Sequence, residues 1–442
     1  MQQASTNIWV MNETQELIQK FGLRGNTLSR TVSIGGLSVT AKVKACEGAS
    51  ANLESWWRSY LAGNRPFVSS DEPTKLRLVD LFCGPGGLAT GFRQAAEECG
   101  FVTESVVAVD QDEGALAVYQ KNHSSRITSS ESVSMLVNFQ ILGSGDDAKM
   151  FSAPKIHPKL EHLVGNVDVI LAGPPCQGHS NLNNHSRRND ERNALYLTAP
   201  AIAIALNAPM VVIENVPAVV HDHQGVVSTS ISLLKEAGYN IQFGTLCASD
   251  MGWPQTRKRY FIVASKKAQP ISIEDISTVL AREEPLSVWW AIEDLAKKRG
   301  DHFMDRLPTL SATNESRVKY LIDNDLHNLP NSKRPDCHKN GTTYTAVYGR
   351  MHKSKPAPTL TCGFMSPGRG RFTHPTQPRV LTPREAARIQ GFPDTYVFDA
   401  IEGVDPKKTQ LAKWIGDAVP MPLGYAAGLC VLMPLLDTNQ LN

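Results

Sequence analysis

A chain of 442 residues is too long for one ordinary hydrophobic core and points to two or three domains. Lys and Arg number 45 against 43 Asp and Glu. A net charge of +2 excludes a global polycation, so any face for nucleic acid has to be local. The eight cysteines (Cys46, Cys83, Cys99, Cys176, Cys247, Cys337, Cys362 and Cys430) form no CxxC pair, and a reduced intracellular protein is the simpler reading. Met1 to Asn7 carries neither a basic region nor an apolar one, so no signal peptide is expected. The apolar stretch Ala199 to Ile213 is interrupted by Asn207 and Pro209 and stops at Glu214, too short to span a bilayer.

In chain order, residues 1–74 read as an N-terminal extension. Thr14 to Gly22 has the beginning of a helix-turn-helix pattern, without a clean second helix after it. Thr31 to Ile34 and Leu37 to Val43 alternate apolar and polar residues about Gly35-Gly36, which predicts a hairpin. Leu53 to Leu61 predicts an amphipathic helix in which Trp56 and Trp57 read as packing anchors, and residues 64–73 read as a linker. From Leu76 the texture changes. Leu76 to Phe82, Ser105 to Val109, Val167 to Ala172, Met210 to Ile213 and Tyr260 to Ala264 are short apolar runs separated by helical patterns. They predict an α/β, Rossmann-like, doubly wound and largely parallel sheet over residues 75–265. Residues 266–376 dissolve into Pro, Asn, Ser, Lys and His, the texture of a smaller loop-rich domain. Residues 377–442 regain periodicity and are expected to return to the first domain, with Thr382-Pro-Arg-Glu385 opening a helix through a capping box.

Two strand ends carry chemistry. Leu78 to Phe92 reads as a strand, a glycine turn and a helix start, in which Gly84, Gly86 and Gly87 let backbone N–H groups approach a negatively charged ligand. The spacing is not the dinucleotide fingerprint G-x-G-x-x-G, which argues against a dehydrogenase. The next strand ends at Asp110, where a carboxylate is well placed for ribose hydroxyls. The strand Val167 to Ala172 runs into Gly173-Pro174-Pro175, whose prolines cannot continue a ladder, and so delivers Cys176 on a stiff loop at the mouth of the sheet. Taken alone, that cysteine reads equally well as a buried structural thiol.

Together these pieces resemble the DNA cytosine-5 methyltransferase family, in the family's motif order, across residues 76 to 430. Asp80-Leu-Phe-Cys-Gly-Pro-Gly-Gly87 is similar to its S-adenosylmethionine turn and Gly173-Pro-Pro-Cys-Gln-Gly-His-Ser180 to its nucleophile loop. Glu214-Asn-Val216 and Gln255-Thr-Arg-Lys-Arg259 are similar to its Glu-Asn-Val and Gln-x-Arg-x-Arg motifs. Arg384 to Asp394 and Gly416-Asp-Ala-Val-Pro420 resemble the two closing motifs.

The resemblance implies methyl transfer from S-adenosyl-L-methionine to C5 of a cytosine flipped out of double-stranded DNA. Cys176 would add to C6, because C5 becomes nucleophilic only once a thiolate has added there and turned the ring into an enamine. Glu214, at the tip of the apolar run Val211-Val-Ile213, would protonate N3, since burial raises a carboxyl pKa. Arg259 would hold O2, and Arg257 a nearby backbone or loop. The resemblance assigns the cofactor to Asp80, Phe82, Gly84, Gly86, Gly87 and Leu88 of the first motif. Asp110, Gln111, Glu131, Pro174, Asp417 and Ala418 complete that set. DNA would be met by Gln177, and by Ser180, Arg187 and Arg188 of the polar loop from His179 to about Asn193, which is read as closing over the duplex. Arg350, Arg369 and Arg371 in the loop-rich module would face phosphates or guanine edges.

Three departures from the family pattern are visible. Asp417 replaces an Asn, Gln111 stands where many members carry an adenine-stacking aromatic, and the residue for the adenine amine is unclear, with Glu131 the best candidate. The irregular spacing of His327, Cys337, His338, His352 and Cys362 favours scattered residues over a zinc site. A tRNA methyltransferase is disfavoured because the recognition region lacks the Cys-Phe-Thr tripeptide of that subgroup. A catalytically idle DNA-binding regulator is disfavoured by the intact Cys176, Glu214 and Arg259. The expectation is a bacterial, cytoplasmic, monomeric enzyme of restriction–modification, with a cognate restriction endonuclease or as an orphan methylase.

Overall fold

The computed structural model describes residues 5–8, 16–67, 73–175, 195–298, 300–339 and 346–436. The chain begins with an antiparallel sheet of β1 (Ser5–Ile8), β2 (Leu17–Arg24), β3 (Thr27–Ile34) and β4 (Leu37–Lys44), followed by α1 (Leu53–Leu61). The hairpin about Gly35-Gly36 and the helix fall where the pattern placed them. Leu17–Arg24, expected within the start of a helix-turn-helix, is instead a strand: Leu17, Gln19, Phe21 and Leu23 pair with Ile34, Val32, Arg30 and Leu28 of β3, so period two prevails.

The central sheet is built from β5 (Lys75–Leu81), β6 (Val102–Val109) and β7 (Ile127–Ser129), with α2 (Gly87–Glu98) and α3 (Glu113–His123) between them. Four two-residue strands, β8 (Val137–Asn138), β9 (Ile141–Leu142), β10 (Lys149–Met150) and β11 (Lys155–Ile156), pair in two short ladders beside the sheet. The sheet continues with β12 (Val169–Ala172), β13 (Met210–Asn215), β14 (Asn240–Cys247) and β15 (Lys258–Ser265), interleaved with α4 (Thr198–Ala205) and α5 (Val226–Glu236). The order is β14-β15-β13-β12-β5-β6-β7. Neighbours from β13 to β7 are parallel, while β15 runs antiparallel to both β13 and β14. β7 and β14 were not expected from sequence: β7 has three residues, and β14 is a half-exposed edge strand interrupted by Gly244.

Both faces of the sheet are covered, which is why its central strands are continuously apolar. Val169, Leu171, Met210 and Val212 point into one core, and Ile170, Ala172, Val211 and Ile213 into the other. The first core contains α2 and α12 (Met421–Leu432), whose axes approach closely because glycines meet. A Cβ on Gly91 would lie 2.2 Å from the Met421 carbonyl oxygen, and one on Gly424 2.8 Å from that of Leu88. The apolar run from Ala418 to Leu435 is longer than the Ala199 to Ile213 stretch. It lies in a helical stretch, Lys408–Leu436, whose most apolar window is 89% buried within the protein, the mark of a core helix.

The N-terminal sheet joins this same core rather than standing apart. Leu28, Val32, Val39, Ala41 and Val43 pack with Trp56 and Trp57, and the Trp57 ring meets Trp253 and Tyr425 edge-on, each at 5.5 Å. Arg30 is enclosed there: its Nε donates to Gln19 Oε1 at 2.8 Å, and its guanidinium sits 5.1 Å from the Trp57 ring. A third cluster gathers the loop-rich region, α6 (Ile273–Leu280) apart. It combines α7 (Val288–Ile292), α10 (Pro383–Gln390) and α11 (Lys408–Asp417), while α8 (Ala312–Asp323) and the one-turn α9 (Asp336–Lys339) lie outside it. Thr382 and Glu385 form the expected capping box, and Arg379 donates to both carboxylate oxygens of Glu385.

Candidate active site

The site forms where β5, β6, β12 and β13 end, the carboxyl edge at which open α/β sheets take ligands. After Leu81 the chain turns through Phe82, Gly84 and Gly86 at positive φ (56°, 51° and 97°), and α2 begins at Gly87. The two glycines adopt this conformation without strain, whereas Phe82 does so against its side chain. Asp110 pins the turn, its Oδ2 accepting from Gly84 N and its Oδ1 from Asp112 N, both at 2.8 Å. Underneath, the Tyr396 hydroxyl donates to the Pro85 carbonyl and lies 3.2 Å from His123 Nε2. A side chain at Gly87 would strike the Val419 carbonyl, so the last motif can close on the first only over glycine.

These elements enclose a cavity of about 380 Å³. Its wall includes Asp80, Phe82, Gly84, Gly87, Leu88, Asp110, Gln111, Glu131, Pro174, Asp417 and Ala418. Gly86, also expected there, supports the turn from behind. Burial pushes the Asp80 carboxyl up, the Tyr119 hydroxyl partly opposing the shift. Burial likewise raises Asp110, against its two backbone donors.

Several lining residues escaped the sequence reading, Lys413 and Trp414 foremost among them. Lys413 and Trp414 of α11 reach the β6 end of the cavity and converge on Asp112, Lys413 Nζ at 2.5 Å and Trp414 Nε1 at 3.3 Å. Asp112 also caps α3 through Ala115 N. A Cβ at Gly114 would meet the Trp414 ring at 2.5 Å, so this glycine makes room for the indole. Their only sequence signal was proximity to the Gly416-Asp417 motif.

At the opposite end of the same cavity lies Glu214, 6% exposed, with Arg259 Nε 2.7 Å from its Oε1. Burial raises its pKa, while Arg259 and then Arg257 draw it down. Its other oxygen is near Gly173: a Cβ built there would lie 3.7 Å from Oε2. Asn215 donates from Nδ2 to the Pro174 carbonyl at 3.3 Å, tying the Glu-Asn-Val strand end to the prolines that precede residue 176. Cys176, Gln177, Ser180, Arg187 and Arg188 lie outside the described residues.

Arg257 and Arg259 have separate tasks. Arg257 is buried and does not line the cavity. Its guanidinium donates to the carbonyls of Leu360 at 2.6 Å, Gly416 at 2.8 Å and Asp417 at 3.3 Å. It therefore fastens β15 to the Pro356 to Thr361 stretch and the end of α11, while its charge acts on Glu214. The seam is tight: a Cβ at Gly416 would fall 2.3 Å from the Thr361 carbonyl carbon. Gln255 and Gln390 complete it, joined at 3.0 Å, with Gln390 Nε2 donating to the Ile415 carbonyl at 2.5 Å.

In the loop-rich module two of the three arginines expected to face DNA turn inward. Arg350 donates to the Pro375 carbonyl and Asp325, and Arg371 to the carbonyls of His327 and Arg350 and to Asn328. A module with little regular secondary structure satisfies its buried carbonyls with side-chain donors, and these two guanidinia serve that need. Arg369 is exposed. His327 and His352 stack face to face at 3.6 Å, and no metal-binding cluster occurs among the described residues.

A glycine turn, a carboxylate at the next strand tip and a buried Glu–Arg pair around one cavity define an α/β methyltransferase. Residues 76–429 match the C-5 cytosine-specific DNA methylases, and the chain belongs to that family; it is a DNA cytosine-5-methyltransferase. It is 37% identical over 443 residues to the type II methyltransferase M1.BsuMI of Bacillus subtilis (strain 168), across 95% of this chain and 98% of that protein. The type II methylase M.HgiDII of Herpetosiphon aurantiacus is 30% identical across 78% of this chain and 92% of its own. Among solved structures, a DNA modification methyltransferase encoded within an E. coli prophage matches with a TM-score of 0.53 and 23% identity, covering 81% of this chain and 98% of that one. The S. pombe Dnmt2 methyltransferase matches at 0.52 and 15%, covering 83% and 100%. At these identities the structural likeness concerns the fold.

Proposed function

We propose that this chain transfers methyl groups from S-adenosyl-L-methionine to C5 of a flipped-out cytosine, at a specific sequence in double-stranded DNA, through a covalent bond between Cys176 and C6. The observation that carries this reading is the Glu214–Arg259 pair at the end of β13, in one cavity with the glycine turn and with Pro174 and Pro175, which lead directly into Cys176. The cavity suits the cofactor: N–H groups at the start of α2 and the carboxylates of Asp80, Asp110 and Glu131 can serve a zwitterionic, hydroxyl-bearing nucleoside, between apolar walls of Phe82, Leu88 and Val133. Bound there, it supplies an electrophilic methyl group.

Each residue then has one task. The Cys176 thiolate forms a bond to C6, and the electron pair displaced from the C5–C6 double bond is accepted through the ring as Glu214 gives its proton to N3. Arg259 holds Glu214 and would take the cytosine O2, as the family resemblance implies. Its charge also opposes the rise that burial imposes on the Glu214 pKa. C5 of the enamine would form its bond to the methyl carbon as the carbon–sulfonium bond breaks and the neutral thioether S-adenosylhomocysteine leaves, and N3 would return its proton to Glu214. Water removes the C5 proton, the C5–C6 double bond re-forms, and the sulfur leaves as thiolate. Flipping costs a few kcal/mol of lost stacking, roughly, which the polar loop after Cys176 and the recognition module would offset.

We place the enzyme in restriction–modification, beside a cognate endonuclease or as an orphan methylase, acting as a cytoplasmic monomer. Purified protein is expected to label duplex DNA from methyl-labelled cofactor, and Cys176→Ser to abolish labelling. Label appearing only in tRNA, or undiminished in that variant, would overturn the assignment. Bisulfite sequencing of host DNA with and without the gene reads the target sequence directly.

A further inference from the structure

The N-terminal sheet buries one face and leaves the other to solvent. The outward positions of β2, β3 and β4 follow from the register: Lys20 opposite Thr31 opposite Thr40, then Gly22, Ser29 and Lys42, then Arg24, Thr27 and Lys44. Lys20, Arg24, Lys42 and Lys44 are exposed, and the three strands contain no Asp or Glu. The nearest acids in the chain are Glu16, before the far end of β2, and Glu47, in the turn after β4.

Several surface cations elsewhere are neutralised in place, as Arg77 is by Asp168, Lys121 by Asp399, Arg282 by Glu54 and Arg306 by Asp405, whereas exposed lysines such as Lys149, Lys155 and Lys235 lie singly rather than in a cluster of four. Among the described residues none of the four sheet cations has an ion-pair partner. Strand spacing and rise put them in a patch of about 10 by 14 Å. At that separation, within about one Debye length at physiological salt, they repel one another. Hydroxyls lie between them: the Thr31 and Thr40 Oγ1 atoms are 2.8 Å apart, and Ser29 shares the face.

We propose that this face is a second, sequence-independent DNA contact that takes the phosphate backbone of duplex outside the target site. The charge is complementary, one hydroxyl of the Thr31–Thr40 pair keeps a proton for a phosphate oxygen, and the substrate is itself a long polyanion with a charge for about every 1.7 Å of axis. The sheet packs on α2, α6 and α12 against one face of the central sheet, so its outer surface is directed away from the catalytic cavity. Duplex engaging it has to be flanking DNA. The proposal rests on DNA as the substrate and not on the catalytic assignments.

The test uses the full chain carrying Lys20→Gln, Arg24→Gln, Lys42→Gln and Lys44→Gln together, which exposed positions tolerate without loss of the thermal transition. Binding is measured over a range of salt on a short target duplex of about 20 base pairs and on one of about 300, each contact being worth about 0.9 in the slope of log affinity against log salt. On the long duplex the slope is expected to fall by about 2 to 4, and affinity at moderate salt by about tenfold or more. Binding to the short duplex and its methylation rate should stay unchanged. An unchanged slope on the long duplex overturns the proposal, including a result in which the variant instead loses an acidic protein partner. Equal losses on both duplexes also overturn it, because the four residues would then belong to the target complex.

Discussion

At the carboxyl ends of β5 and β6, Gly84, Asp110 and Gln111 line the cavity from the positions their strands give them, whereas in residues 266–376 Arg350 and Arg371 turn inward and Arg369 alone of the expected three is exposed. The first region is dictated over a few residues: a strand ends, glycines turn the chain, and a helix starts. The second has little regular secondary structure among its described residues, so its carbonyls find donors far along the chain, such as Arg371 reaching His327. A side chain on a strand tip inherits its direction from the backbone, while one in an irregular module goes wherever an unsatisfied acceptor lies.

The largest effect sharpens the ordered side of this contrast. Glu214→Gln keeps the shape of the buried end but removes its proton, so methyl transfer is expected to fall by about 10²- to 10⁴-fold. The pH profile separates chemistry from packing. Burial raises the Glu214 pKa, and its acid form is depleted as pH rises through that value. The wild-type rate should therefore decline on the alkaline side, and a Gln variant should lose that limb; an unchanged profile would remove Glu214 from proton transfer.

The next tests the irregular side. Arg371→Ala strips donors from two carbonyls and an Asn side chain, and a loss of about 1–3 kcal/mol in folding stability is expected by denaturant melts. Arg369→Ala should leave the melt unchanged and weaken binding to target DNA. The reverse pattern would mean that the arginines exchange roles when DNA binds.

The smallest concerns the cavity wall. Gln111 is exposed at the β6 end, near the Trp414 indole fixed by Asp112 and Gly114. Gln111→Trp adds an aromatic face and should tighten S-adenosylhomocysteine binding by about 3- to 10-fold by calorimetry. No gain would indicate that Trp414 already occupies the stacking side.

By itself the sequence determined what depends on neighbours along the chain. That includes the continuous apolar runs of β12 and β13, which are buried on both faces, the hairpin at Gly35-Gly36, the helix at Leu53–Leu61, the glycine turn, and the carboxylates at strand tips. Tertiary structure alone decided what depends on distant segments. It merged the N-terminal sheet with the catalytic core around a buried Arg30, made Arg257 a clasp for the Leu360 and Gly416 carbonyls, and brought Lys413 and Trp414 to Asp112. The physical reason is the range of the constraint. Backbone geometry acts over a few residues, whereas the need to satisfy buried carbonyls and fill space can be met by any residue the fold brings near.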